Sequence, residues 1–160
     1  MLRENPDIGS VAEMRDTEAY AAEEASMSGH VVISTTHAGS PEQAHIRIAN
    51  LCRKKYPIEY NAALREACEA FPLAVFIHNL EDNRRRIMAV SESYLDHGEI
   101  IYRPLWRYEI EDTAQERTGT KVIGQHVQVG SPSDKLLERM RLYGITKKEI
   151  NEIVRPETEE

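Results

Sequence analysis

Two short stretches gather the side chains that could do chemistry. "VAEMRD", residues 11–16, sets the carboxylate of Glu13 beside the guanidinium of Arg15 and a second acid, Asp16. "GHVVISTTHAGSPEQA", residues 29–44, opens on Gly29 and puts His30 and His37 at the two ends of an apolar, β-branched run. A carboxylate can orient a water or pair with a cation. A neighbouring arginine lowers its pKa or holds a phosphate. Side chains alternate faces along a strand, and positions 30 and 37 differ by an odd number, so a regular strand turns the two histidines apart and disfavours a shared metal ion. His30 stands at the strand's entry and His37 at its exit. Ligands of open parallel sheets bind beyond the carboxyl ends of the strands. His37 is therefore the candidate for site chemistry, and His30 suits structural hydrogen bonding. Simpler readings stay open: His37 as a polar strand end, and Glu13, Arg15 and Asp16 as solvated charges at a helix start.

Other residues carry less. His78 lies inside "PLAVFIHNL" and reads as a core or edge histidine. "RRR" at 84–86 reads as a solvated strand entry, with one arginine free to face a partner. Tyr102, Trp106 and Tyr108 alternate along one strand and pack one sheet face. Cys52 has no base near it in sequence. No Ser-His-Asp spacing, nucleophile elbow or GxxxxGK[ST] phosphate loop occurs in the 160 residues.

The elements that must position these groups follow from pattern. "PDIGSVAEM" predicts a strand near 7–13, diluted by Gly9 and Ser10. "RDTEAYAAEEASMSG" predicts a helix that closes on Gly29 and turns a narrow face of Ala19, Ala22 and Ser26 to a sheet. "HVVISTT" predicts a strand buried on both faces. Strand, helix and strand make a βαβ unit, with Glu13 and His37 delivered to one sheet edge. "SPEQAHIRIANLC" predicts a helix capped by Ser40 with Pro41 at its first position. A further helix follows Pro57, and a strand at 73–79 should join the sheet of the strand at 30–36. "RRRIMAVSESYL" and "EIIYRPLWRYEI" predict an antiparallel pair joined at Asp96-His97-Gly98. Residues 112–132 read as a linker. Ser131-Pro132 should start one last helix, and the capping-box spacing of Thr146 and Glu149 another.

Composition bounds the partners. Apolar residues make up 41% of the chain, which is the range of a folded domain, and the formal net charge is −7, which argues against a nucleic-acid groove. No window reaches the roughly twenty apolar residues of a membrane span, and "MLRENPDIGS" lacks the apolar core of a signal peptide. Cys52 and Cys68 form no CxxC, so free thiols in a reducing, cytoplasmic setting are expected and a metal site is not.

Together these stretches resemble a known family. "NPDIGSVAEMRD" is similar to the Walker B segment of type II/type IV secretion ATPases, the motors of conjugation, Tad-type pilus assembly and twitching motility. "SGHVVISTTHAGSPEQA" is similar to that family's histidine box, and "PLAVFIHNLEDNRRRIMAVSE" to a later segment of the conjugation and Tad branch. The resemblance covers roughly residues 5–110. It implies an α/β fold: the C-terminal half of a RecA-like P-loop ATPase core over 1–110, then a linker and C-terminal helices over 111–160. It implies that Glu13 is the Walker B glutamate, with Arg15 and Asp16 the polar residues after it, and that Gly29, His30 and His37 form the histidine box. It further implies ATP and Mg2+ as cofactors of a longer parent protein, a hexameric ring, partners among inner-membrane secretion or pilus-assembly proteins, and a place at the cytoplasmic face of that membrane. Departures are Gly9 and Ser10 inside the apolar run, Ala12 where the family has glycine, and Asn5 where it has an acid. The Walker A loop, acidic box and N-terminal domain of the family would lie upstream. The 160 residues by themselves are then expected neither to bind nor to hydrolyse ATP, and to pair with another copy through a bare sheet edge. The alternative is a non-catalytic interaction module of the same fold.

Overall fold

The computed structural model describes residues 8–117 and 119–154. The elements run β1 (Ile8–Val11), α1 (Glu18–Met27), β2 (Val31–Ser34), α2 (Pro41–Lys55), α3 (Tyr60–Ala70), β3 (Leu73–Asn79), β4 (Arg85–Asp96), β5 (Glu99–Glu116), β6 (Gly119–Gln128), α4 (Asp134–Leu142) and α5 (Lys147–Val154). The described residues fall into two units. One runs through Ala74 and includes Ser93–Tyr102; the other holds Val75–Glu92 and the chain from Arg103 onward.

In the first unit β1 and β2 pair in parallel, from Ile8↔Val31 to Val11↔Ser34. A parallel pair needs a crossover, and α1 supplies it. Gly29, at φ 96°, takes the left-handed conformation that ends the helix. The core holds α1, α2 and α3 together through Ala19, Ala22, Ala49, Ala63 and Ala67, with Met14, Ile48 and Leu51 around them. Side chains this small let helix backbones approach closely. Ser40 Oγ accepts from Gln43 N at 3.3 Å to cap α2, with Pro41 in the first turn. The carboxylate of Glu59 accepts from Ala62 N at 3.0 Å to cap α3. Behind α2, His45 is 2% exposed, and its Nδ1 and Nε2 lie 3.1 and 2.9 Å from the carbonyls of Pro41 and Phe71.

The second sheet has the order β3-β4-β5-β6. Strands β4 and β5 join through His97 and Gly98, both at positive φ (47° and 87°), the geometry of the tight hairpin turn that Asp96-His97-Gly98 announces. β5 and β6 pair antiparallel from Trp106↔Gln128 to Glu116↔Gly119, with an irregularity between Ile110 and Asp112. At Gly124 a Cβ would come 2.2 Å from the Glu109 carbonyl and 3.0 Å from the Tyr108 ring, so only glycine fits there.

Four expectations are corrected. The strand at 73–79 does not join β2; it pairs with β4, a neighbour it reaches through the short turn Leu80–Arg84, in which Leu80 N donates to Arg84 O at 3.1 Å. Residues 119–128, read as linker, are β6. A hairpin strand open to water carries polar residues on its wet face, and Val122 is the buried one here, so the apolar period is faint. The third is the arginine run. Arg86 is bound to Asp82 by two hydrogen bonds of 2.7 and 2.6 Å, and the pair reaches β6 through Arg86 Nη2 to Val122 O at 3.2 Å. That guanidinium holds the Asp82 carboxyl well below the usual carboxylate range. The start of α4 also shifts: its cap is Ser133, whose Oγ accepts from Leu136 N at 3.2 Å while Ser133 N donates to the buried Glu92 at 2.8 Å.

One buried acid yields a prediction. Glu23 is 3% exposed on α1 and its Oε1 has no hydrogen-bond partner. Burial pushes its carboxyl up to about 7, opposed by the Cys52 thiol. The folded state then keeps a proton that the unfolded chain loses near its ordinary value of 4.5. Stability is therefore full below that value and falls as pH rises toward about 7, by on the order of 3 kcal/mol. Thermal melts between pH 5 and 8 should show that decline, and Glu23→Gln should remove it.

Candidate functional site

Beyond the ladder, the chain ends of β1 and β2 continue side by side. Met14 N donates to Thr35 O at 2.7 Å, Thr35 Oγ1 donates to Ala12 O at 2.6 Å, and Thr36 Oγ1 donates to Met14 O at 3.1 Å. These bonds leave Glu13 and His37 at one end of the parallel pair. His37 Nε2 lies 3.1 Å from Glu13 Oε1. The distance is that of an ion pair, yet Glu13 Oε1 is enclosed and has no hydrogen-bond partner. The imidazole stands close to this oxygen but out of line for a hydrogen bond. The other oxygen, Oε2, accepts from Arg15 Nη2 at 2.6 Å.

Arg15 is held by its own backbone. Glu18 Oε1 accepts from Arg15 N at 2.6 Å and from Asp16 N at 2.9 Å, so the first turn of α1 fixes the loop from which Arg15 reaches back. Thr36 Oγ1 also accepts from Arg47 Nε of α2 at 3.1 Å, which brings a second guanidinium toward the carboxylate. The hydrogen bond from Arg15, with the charges of Arg15, His37 and Arg47 behind it, lowers the Glu13 pKa against a smaller desolvation effect. Glu13 is a persistent anion in a cationic setting. Such a group is a weak proton acceptor and a good orienter of water or of a hydrated cation.

The structure thus brings Glu13, Arg15 and His37 together and leaves the other sequence candidates apart. Asp16 points to Lys54 Nζ at 3.6 Å on α2. His30 N donates to Ala25 O at 3.2 Å and its Nδ1 lies 3.2 Å from Ser28 Oγ, at the opposite end of β2 from His37. Gly29 ends α1 beside His30, at the opposite end of β2 from His37. Arg47, Thr35 and Thr36 were not singled out from sequence. The "TT" of "ISTTHA" carried a signal, since β-branched hydroxyls at a strand exit can tie it to its neighbour. Arg47 carried none, because its reach depends on how α2 lies against β2. Among the described residues no cluster of three or more His, Cys, Asp or Glu side chains could hold a metal ion.

Known proteins share part of this chain's sequence and fold. Residues 1–92 match the family described as Type II/IV secretion system protein. The putative type II secretion system protein E of Escherichia coli (strain K12) is 44% identical over 52 residues, 32% of this chain and 10% of that protein. The type IV pilus assembly ATPase PilB of Thermus thermophilus is 42% identical over 64 residues, 39% of this chain and 7% of that protein. Each match therefore spans a tenth of the relative or less. Among solved structures, the VirB11 ATPase of the Brucella suis type IV secretion system, in complex with sulphate, superposes with a TM-score of 0.50 at 29% identity, over 61% of this chain and 31% of that one. The mixed α/β fold, with one parallel and one antiparallel sheet, is similar to that ATPase.

The ordering of influences on Glu13 can be measured. Arg15→Gln should move the Glu13 carboxyl midpoint up toward its ordinary value, and His37→Ala should move it less, as read by the pH dependence of the carboxyl carbon shift in NMR. A larger effect from His37 would reassign the dominant partner.

Proposed function

Because the chain belongs to the Type II/IV secretion system protein family, we propose that it is part of a motor ATPase that drives secretion, conjugation or pilus assembly. In this reading residues 5–16 are the Walker B segment and 29–44 the histidine box of a RecA-like core. The observation that carries it is the approach of His37 Nε2 to Glu13 Oε1, 3.1 Å, at the carboxyl end of a parallel strand pair.

The chemistry follows from charge. ATP hydrolysis needs a water aimed at the γ-phosphate and cations for the charge that develops on it. Glu13, held ionised by Arg15, orients that water. Arg15 and Arg47 bring positive charge to the carboxylate, with the His37 imidazole beside it, and suit an anion there. One carboxylate does not make a magnesium cage, so the residues present fit an outer-shell role, with Glu13 holding a water of the hydrated ion. Bound magnesium would neutralise phosphate charge. His37 stands over the enclosed Oε1 and, turning away, opens that oxygen to water; this is a means of coupling phosphate contact to the state of Glu13. The phosphate-cradling loop, absent from the 160 residues, belongs to the longer motor, which in this reading forms a hexameric ring at the cytoplasmic face of the inner membrane.

In a longer motor that carries both this segment and a phosphate loop, Glu13→Gln should lower steady-state phosphate release by on the order of a hundredfold while nucleotide binding stays near normal. His37→Ala should reduce turnover more than His30→Ala, and His30→Ala should instead lower the melting temperature. Near-normal turnover in the Glu13 variant would return that residue to a solvated charge. The 160-residue chain itself should bind MgATP more weakly than about 1 mM in a calorimeter.

A further inference from the structure

The turn between α4 and α5 departs from two local rules at once. Leu142, the last residue of α4, is 84% exposed, and Tyr143 beside it is 55% exposed. This is not an unwound helix end. Tyr143 N, Gly144 N and Ile145 N donate to the carbonyls of Arg139, Arg141 and Met140 at 3.2, 3.0 and 3.1 Å, with Gly144 at φ 83°. On the far side Thr146 N donates to Glu149 Oε2 at 2.8 Å and Glu149 N donates to Thr146 Oγ1 at 3.3 Å, the reciprocal cap of α5. The backbone is closed on both sides, and it holds two large apolar side chains in water.

The second departure is charge. Residues 139–148 contain Arg139, Arg141, Lys147 and Lys148 and no acid, in a chain of formal net charge −7. The two arginines complement the negative end of the α4 dipole. The two lysines stand beside Glu149 in the first turn of α5, where the positive end of the dipole favours the acid and disfavours them. Places where a sequence breaks local rules without local gain are where function is expected.

We propose that this tip is a peripheral docking element for an anionic lipid surface, with Leu142 and Tyr143 entering the interfacial layer and the four cations meeting lipid phosphates. Leucine supplies apolar area, and the tyrosine ring, apolar in body and polar at its end, suits the headgroup level. Lysine and arginine stems can lie along apolar surface while their charges reach outward. A turn that projects two side chains suits a soft interface. An acidic peptide would satisfy the cations and leave both apolar groups in water. The rest of the chain is more negative than the whole, so the cations of this turn are the part drawn to such a surface. The proposal does not rest on the nucleotide reading of Glu13 and His37.

The test is co-sedimentation of the 160-residue chain with vesicles at low salt. Binding is expected to mixed phosphatidylglycerol–phosphatidylcholine vesicles, to fall as salt rises, and to be absent with phosphatidylcholine alone. The pair Lys147→Gln and Lys148→Gln should lower the partition coefficient by about tenfold or more. The pair Leu142→Ser and Tyr143→Ser should abolish most of what remains at moderate salt. Circular dichroism should be unchanged in both, since all four positions are exposed. Wild-type binding by either double variant overturns the proposal, as does failure of the chain to sediment with anionic vesicles. Retention on immobilised polyglutamate without vesicle binding would assign the tip to an acidic protein instead. Vesicle binding that appears only after removal of residues 155–160, which include Glu157, Glu159 and Glu160, would assign it to the chain's own acidic end.

Discussion

The candidate site depends on the parallel register of β1 and β2. A one-residue slip would turn every side chain of one strand to the other face, and would carry Glu13 away from His37. Four ladder pairs are few to fix a register. The bonds beyond the ladder do the rest: the Met14 amide and the hydroxyls of Thr35 and Thr36 tie the two exits together where the strands have already ended. Thr36 has a double attachment, since it donates to Met14 and accepts from Arg47. The local geometry of the carboxylate is therefore set by backbone and hydroxyl contacts, and its ionisation by arginines.

Much of this was legible because the signals are local. Gly29 at the close of α1, Ser40-Pro41 at the start of α2, Asp96-His97-Gly98 between β4 and β5, and the Thr146–Glu149 box each act within a few residues, and each stands where the sequence puts it. The order Glu13, helix, His37 with parallel strands was legible for the same reason. What was not legible depends on contacts between segments far apart in the chain. Whether 73–79 joins β2 or β4 is decided by pairing, and its own residues are compatible with both. Arg86 looked like a solvated charge because its partner relation to β6 spans a long stretch of chain. Glu92 gave no hint that it would meet the cap of α4. Arg47 joined the site only through the placement of a whole helix.

The interior of the first unit shows how polar groups are tolerated when small side chains bring helices close. His45 and Glu23 are both enclosed, and they are treated differently. The imidazole has a carbonyl at each nitrogen, and Ser93 Oγ stands 3.3 Å from Nε2. Glu23 has one oxygen without a partner, and burial keeps it protonated into the neutral range. Burial also drives the Cys52 thiol far above its ordinary range, so this cysteine behaves as a small apolar group rather than a nucleophile.

The two sheets also differ in how far apart along the chain their paired residues lie, and that separation sets the entropy that must be lost before a contact can form. Glu116 meets Gly119 almost immediately, and the pairing then zips outward to Trp106 and Gln128. Ile8 meets Val31 only after a whole helix has been laid down between them. Loop closure is fast for the first and slower for the second. During synthesis or refolding, the end that carries Glu13 and His37 thus waits on a longer search than the β5–β6 hairpin does, and its strand edges stay open to wrong partners for longer.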